Sequence, residues 1–114
     1  MKIMDVNEYI KFCHRVLMAN GLKKNGFVLF PRVVCEDGFE VSIQAGNALY
    51  SIPREDGREE YTAFELEYPN KTDLILIPYA EDERNLLGTT YPFVPAEEVN
   101  ELLVKHGGIV DLKV

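Results

Sequence analysis

Tryptophan is absent, and cysteine and histidine occur only twice each in 114 residues. Two cysteines cannot build the dense disulfide framework of a small secreted scaffold. Cys13 and Cys35 have no CxxC spacing, and the two histidines give no zinc-ligand pattern. Both thiols are expected to be reduced and buried in a cytoplasmic protein. Long hydrophobic runs are also missing. The longest, 27–30 and 74–77, fall far short of the roughly 20 residues of a membrane span. Met1–Asp5 lacks the apolar core of a signal peptide, so a cytoplasmic location and no membrane partner are expected. Asn70-Lys71-Thr72 is then a chance match to a glycosylation acceptor. Basic residues are in deficit, 12 against 19 acidic, for a net charge of −7. Such a chain would be repelled by phosphates, so direct nucleic-acid binding is not expected. No phosphate-binding Gly-rich loop, dinucleotide fingerprint, nucleophile elbow or zincin helix is present.

What remains is an ordinary globular mix, 46% apolar and 27% charged. It fits one domain over residues 1–114. The charge is unevenly spread: residues 55–84 hold ten acids and three bases, residues 1–35 six bases and two acids.

Asp5-Val6-Asn7-Glu8 reads as a capping-box start. Val6, Tyr9, Ile10, Cys13, Val16 and Leu17 follow at helical spacing, predicting a helix from about 6 to 20 with Gly21 as its stop. Phe27–Phe30, ended by Pro31, is an edge strand or a packed connection. Val33-Val34-Cys35 is strand-like, and Glu36-Asp37-Gly38 is a turn. In 39–45 the alternation puts Phe39, Val41, Ile43 and Ala45 on the core, with Glu40, Ser42 and Gln44 opposite. Glu55-Asp56-Gly57 is a second turn. Residues 61–68 alternate again, with Thr62, Phe64, Leu66 and Tyr68 on one face and Tyr61, Ala63, Glu65 and Glu67 on the other. Antiparallel pairing of the two segments sets Ser42 and Gln44 beside Glu65 and Glu67 on an open, solvated face. Leu74–Ile77 is expected to be buried, and Glu81-Asp82-Glu83 to be a solvated loop. Thr89–Val94, with Pro92 inside, is an edge strand or a bulge. Pro95 at N1, Glu97 and Glu98 in the first turn and Lys105 in the last mark a second helix with Val99, Leu102 and Leu103 inward. Gly107-Gly108 ends it before a final strand over 109–114. The fold class is therefore α+β: a mainly antiparallel sheet of about four to five strands, an N-terminal helix, and a C-terminal helix followed by a last strand.

Candidate chemistry is sparse. Cys13 and His14 are neighbours on a helix, where their side chains diverge, so a catalytic pair is not favoured. His106 reads as a structural cap at a helix C-terminus. Glu65 and Glu67 are a carboxylate pair of the kind used in acid–base work, weighed against a solvated face. Arg54, between Tyr50 and Tyr61, suits a phosphate or a stacked base, with Gln44 and Ser42 adding hydrogen bonds; the competing reading is an ion pair with Glu59, Glu60 or Glu65. No cofactor is implied, and the chain is read as not an enzyme.

A set of short segments is shared with one family. They are Asp37-Gly38-Phe39, Val41–Ala45, Tyr50-Ser51, Pro53-Arg54, Tyr61-Thr62, Glu65, Tyr79–Asp82, Gly88-Thr89, Tyr91, Val94-Pro95 and His106–Ile109. Together they resemble a family of small, mostly uncharacterised phage, prophage and mobile-element proteins, over about residues 33–109. The resemblance implies a binding protein that disables a component of bacterial defence, of the anti-CRISPR kind. The expected partner is a host protein with a basic surface, met by Glu59, Glu60, Glu65 and Glu67. A second expectation is a nucleotide-sequestering protein using Gln44, Tyr50, Arg54 and Tyr61. A homo-oligomeric structural or assembly protein, joined through edge strands, is a third.

Overall fold

The computed structural model describes residues 1–17, 23–24 and 27–113. Helix α1 (Val6–Phe12) opens where the capping signal lies: the Asp5 carboxylate accepts from the Asn7 and Glu8 N–H groups. The helical course then changes to a π-helical turn over Cys13–Leu17. The predicted end near residue 20, and Gly21, lie outside the described residues. Val6, Tyr9, Ile10 and Cys13 are buried as their spacing requires, but Val16 is exposed. The wider π turn moves Val16 off the stripe that a continued α-helix would give it.

A short antiparallel ladder joins β1 (Lys23–Lys24) to β2 (Phe27–Val28). The main sheet has five antiparallel strands, β3 (Arg32–Cys35), β4 (Glu40–Gln44), β5 (Ala63–Glu67), β6 (Thr90–Pro95) and β7 (Ile109–Lys113), in the order β6-β5-β4-β3-β7. Helix α2 (Ala96–Lys105) follows β6 directly. Pro95 is its N-cap and not its first residue, so the helix starts one residue later than expected. Val114 lies outside the described residues. This is the α+β arrangement expected from the order of patterns. Among the described residues no helix is long and apolar enough to cross a membrane.

One core unites these elements. Val33, Val41, Ile43, Phe64, Leu66, Tyr91 and Val94 from the sheet pack against Val6, Tyr9 and Ile10 of α1 and Val99, Leu102 and Leu103 of α2. The two helices are also tied by polar contacts: Asn100 Oδ1 accepts from the Val6 N–H at 2.7 Å, and Asn100 Nδ2 donates to Asp5 at 3.3 Å. The run 74–77 departs from expectation. Only Leu76 is fully buried, while Leu74 is 79% exposed. This stretch is a turn leading into a single 3-10 turn (Ile77–Tyr79), so its side chains radiate and cannot all point inward.

Both outer strands are locally protected. On β6, Pro92 and Pro95 have no N–H to offer, and the Phe93 N–H is bound to the Tyr50 carbonyl at 3.1 Å. On β7, Ile109 exchanges backbone hydrogen bonds with Ile3, and the Leu112 N–H is bound by the Asp111 carboxylate at 2.8 Å.

Candidate functional site

The long connection from β4 to β5 folds back as an arm along β5. Its base is Ser51, fully buried, whose hydroxyl accepts from the Gly46 N–H at 3.0 Å and donates to the Pro53 carbonyl at 2.9 Å. The Ile52 N–H donates to the Ala63 carbonyl at 3.1 Å, the Ile52 carbonyl accepts from the Thr62 N–H at 2.8 Å, and the Ile52–Pro53 peptide is cis. Asp56 accepts from the Asn47 N–H at 2.9 Å. Its carboxylate lies where a Cβ on Gly46 would stand, 2.5 Å away, so position 46 requires glycine for this close approach.

The tip of the arm carries Glu55, Asp56, Glu59 and Glu60, all exposed. Its shape is fixed from beneath by Tyr61, whose hydroxyl donates to the Glu55 carbonyl at 2.6 Å and accepts from the Arg58 N–H at 3.3 Å. Tyr61 is in turn held by Asn7 of α1. The Asn7 side chain accepts from the Tyr61 N–H at 2.9 Å and donates to its carbonyl at 3.1 Å, as a neighbouring strand would. Tyr61 is therefore a buried support, not the ligand-facing residue expected from sequence.

Beside this tip lies an exposed aromatic ledge. The Tyr50 and Phe93 rings are 5.7 Å apart, and the Arg54 guanidinium lies 5.2 Å from the centre of the Tyr50 ring. Arg54 thus makes a cation–π contact and none of the ion pairs weighed from sequence. Phe93 has φ +52°, in the left-handed region, and remains 41% exposed. A bulky residue there costs on the order of 1–2 kcal/mol. The ring is part-buried against Tyr50, and Tyr68, also exposed, shares the left-handed conformation with φ +53°.

Beneath the ledge the expected open face is covered. The four residues share a face as expected, with Ser42 opposite Glu67 and Gln44 opposite Glu65. Yet Gln44 and Glu65 are each only 5% exposed, and Glu67 is half-buried. Gln44 serves Phe30 instead of a ligand: its amide accepts from the Phe30 N–H at 2.8 Å and donates to the Phe30 carbonyl at 2.7 Å. Glu65 accepts the Tyr50 N–H at 3.1 Å. A hydrogen bond that the protonated Glu67 makes to Glu65, burial and the charges of Glu65 and Glu81 push the Glu67 carboxyl up to about 7. The acidic surface is accordingly smaller than the sequence count suggests, because Glu65 and Asp73 are inside.

The residues flagged individually from sequence also find places. Glu60 lies 3.8 Å from Lys11, and Glu59 lines an open groove with Lys11, His14 and Arg15. Cys13 is a buried thiol pushed up to about 11 by desolvation, which makes it a poor nucleophile. Cys35 is likewise free and buried. The His14 ring packs edge-on against Phe30 with its Nε2 buried and without a hydrogen-bond partner among the described residues. Burial lowers its pKa, against the opposing pull of Asp56 and Glu59.

Sequence reasoning missed two features. Phe93 carried only the indirect signal of the prolines around it. The second is a clamp at the far end of the sheet: His106 Nδ1 meets Asp37 at 2.6 Å, Nε2 meets Asp73 at 2.7 Å, and the ring stacks on Phe39 at 4.0 Å. Among the described residues no cluster of three His, Cys, Asp or Glu side chains is arranged to hold a metal ion.

Compared with known proteins, the chain matches no family model, no curated protein and no solved structure.

Proposed function

We propose that this chain is a non-catalytic binding protein that presents the acidic tip of the β4–β5 arm to a basic surface on a protein partner. The observation that carries this is the preformed state of the tip. Glu55, Asp56, Glu59 and Glu60 project from a loop whose backbone is already held by Tyr61, Ser51 and Asp56. A loop ordered in advance loses less entropy on binding, and its charge steers encounter with a basic partner. The flanking ledge of Tyr50, Phe93 and Arg54 has the residue types that dominate interface energetics. In the context of the phage-type resemblance, the partner is a host defence effector whose basic channel otherwise receives nucleic acid. The test is co-purification with candidate effectors, with and without the substitutions Glu55→Gln, Asp56→Asn, Glu59→Gln and Glu60→Gln made together. Wild-type chain should retain a stoichiometric partner that duplex DNA displaces, and the neutralised variant should lose it. Equal retention by both would refute the proposal.

A second reading, a nucleotide binder, draws on the Arg54–Tyr50 stack, which offers a cation and a ring face at one place. With Gln44 and Tyr61 committed to backbone groups, it keeps only two of its four expected residues. Arg54→Ala should abolish any nucleotide retention; unchanged retention would end this reading. An edge-strand assembly is less favoured still, since the free groups of β6 and β7 that it would use are partly engaged within the chain.

A further inference from the structure

We propose that the outer side of α1 and the π-helical turn form a binding site for a small amphiphilic oxyanion, a carboxylate or phosphate monoester on an alkyl body. The head lies among Lys11, His14 and Arg15, and the body along Met1, Ile3 and Phe12.

The site starts from helical spacing. His14 and Arg15 follow Lys11 by three and four residues, so the three side chains gather on one side of the helix. They line one open groove of about 470 Å3, with Glu59 at its other wall. A second groove of about 310 Å3 shares Lys11 and Arg15 and is lined by Met1, Ile3 and Phe12, with Glu8. Both volumes lie in the range of small-ligand sites. The change from α to π winding falls between Phe12 and Cys13, inside this stretch, and such turns recur at functional sites.

The donors are uncommitted. Arg15 is exposed, and its guanidinium enters none of the ion pairs among the described residues, although acids outnumber bases 19 to 12 in the chain. Lys11 meets only Glu60, at 3.8 Å with the two side chains 44% and 75% exposed, a loose surface pair that an anion can displace. His14 supplies the third donor. Its Nε2 is buried without a partner among the described residues, and burial lowers its pKa, so the ring is neutral at neutral pH. Protonating the sealed nitrogen would strand a donor, so the proton is assigned to Nδ1, the nitrogen left to the groove. An ammonium, a guanidinium and a neutral N–H have no acceptor among them. Their complement is an oxyanion held by charge-assisted hydrogen bonds.

The neighbouring acids narrow the ligand. Asp56 and Glu59 act on His14, and Glu8 stands in the second groove. Their charges disfavour a polyanion such as nucleic acid and leave room for a head of low charge. The alkyl body then adds affinity by covering Met1, Ile3 and Phe12. The site shares Glu59 with the acidic tip, but it stands whether or not that tip meets a basic partner.

The test is titration of the isotope-labelled full chain at neutral pH, followed by NMR. The probes are octanoate, octyl phosphate, inorganic phosphate, octylamine, and vesicles of phosphatidylserine and phosphatidylcholine. At least one octyl anion should bind saturably and shift His14 Nδ1, with Nε2 moving little. Inorganic phosphate, the charge without the body, should bind at least about tenfold more weakly. Octylamine, the body without the negative charge, should leave His14 unmoved. Arg15→Gln, at an exposed position with no ion pair to lose, should weaken binding by about tenfold or more. Glu59→Gln, which removes a repulsion, should tighten it. No saturable shift with either octyl anion, octylamine binding as tightly, unchanged affinity in Arg15→Gln, or binding to the vesicles alone would each overturn the proposal.

Discussion

Replacing His106 by alanine should be among the most damaging single changes in this chain. The imidazole joins three parts of the fold: α2, which it caps, the β3–β4 turn through Asp37, and the segment before the 3-10 turn through Asp73. Each ring nitrogen meets a carboxylate, an arrangement that the doubly protonated ring satisfies with two donated hydrogen bonds. The Asp73 side chain is only 2% exposed. Without His106 its carboxylate keeps the Ile75 N–H at 2.9 Å and Lys105 at 3.1 Å, the latter half in solvent. Breaking a buried pair from one side costs about 3–5 kcal/mol. The remaining lysine places this case at the lower end, about 3 kcal/mol, and loss of the parallel stack on Phe39 adds about 0.5–1 kcal/mol. That is a large share of the 5–15 kcal/mol typical of a whole domain. Urea unfolding followed by far-UV circular dichroism should show a lower midpoint with an unchanged slope. The double variant with Asp73→Asn should lose much less than the sum of the singles, because the orphaned charge is then gone. Acid should reveal the same clamp. For Asp73, burial pushes the carboxyl up, but His106, the Ile75 N–H and Lys105 outweigh it and hold it below 3.8. For Asp37, the Phe39 N–H and His106 do the same. Carboxyls depressed in the folded state contribute stability above pH 3.8 that is lost as pH falls through their folded values. His106→Ala should flatten that acid limb. A loss below about 1 kcal/mol at neutral pH, the size of an exposed ion pair, would refute the reasoning.

Two other substitutions separate support from display. Gln44→Ala strands the Phe30 N–H and carbonyl in a buried place and should cost about 2–4 kcal/mol in the same unfolding assay; a change under about 0.5 kcal/mol would mean the glutamine is dispensable to the fold. Phe93→Asn puts a residue tolerant of positive φ where the ring now stands, so stability should hold or rise by up to about 1 kcal/mol while partner retention falls; marked destabilisation would show that the ring packs instead of being displayed.

The sheet was legible because its signals are local. Alternation in 39–45 and 61–68 put Val41, Ile43, Phe64 and Leu66 inward and Ser42 and Gln44 on the face of Glu65 and Glu67, but it failed toward the ends of 61–68, where Tyr61 and Ala63 are buried and Thr62 and Tyr68 exposed. Capping at Asp5 and the charge order of α2 placed the helix starts within a residue. What failed depends on chain folding back from elsewhere. Period-two alternation reports only which residues share a face, and cannot say whether a connection will cover it. The arm meets Glu65 through the Tyr50 N–H and the chain at Phe30 meets Gln44, so both read as solvated and are buried. The same arm turned Tyr61 from a ligand-facing residue into a support for the Glu55 carbonyl.

The clamp and the ledge were illegible for a related reason. Asp37 and Asp73 lie 69 and 33 residues from His106, and no spacing rule spans such separations. Phe93 looks like any strand aromatic until its φ is known. Yet the two features sit at different places with different logic. The clamp turns its charged groups toward one another, and Asp73 is sealed inside, as a stabilising element should be. The ledge leaves two rings and a guanidinium partly in solvent at a strained backbone position, and the acidic tip beside it is held from below while Glu55, Glu59 and Glu60 stay exposed. A strained, part-exposed ring beside exposed acids, of which Glu55 pairs with Arg58 at 2.8 Å and Glu60 lies 3.8 Å from Lys11, differs from a clamp whose central carboxylate is sealed inside. That contrast is why binding is proposed for the arm and a stabilising role for the clamp.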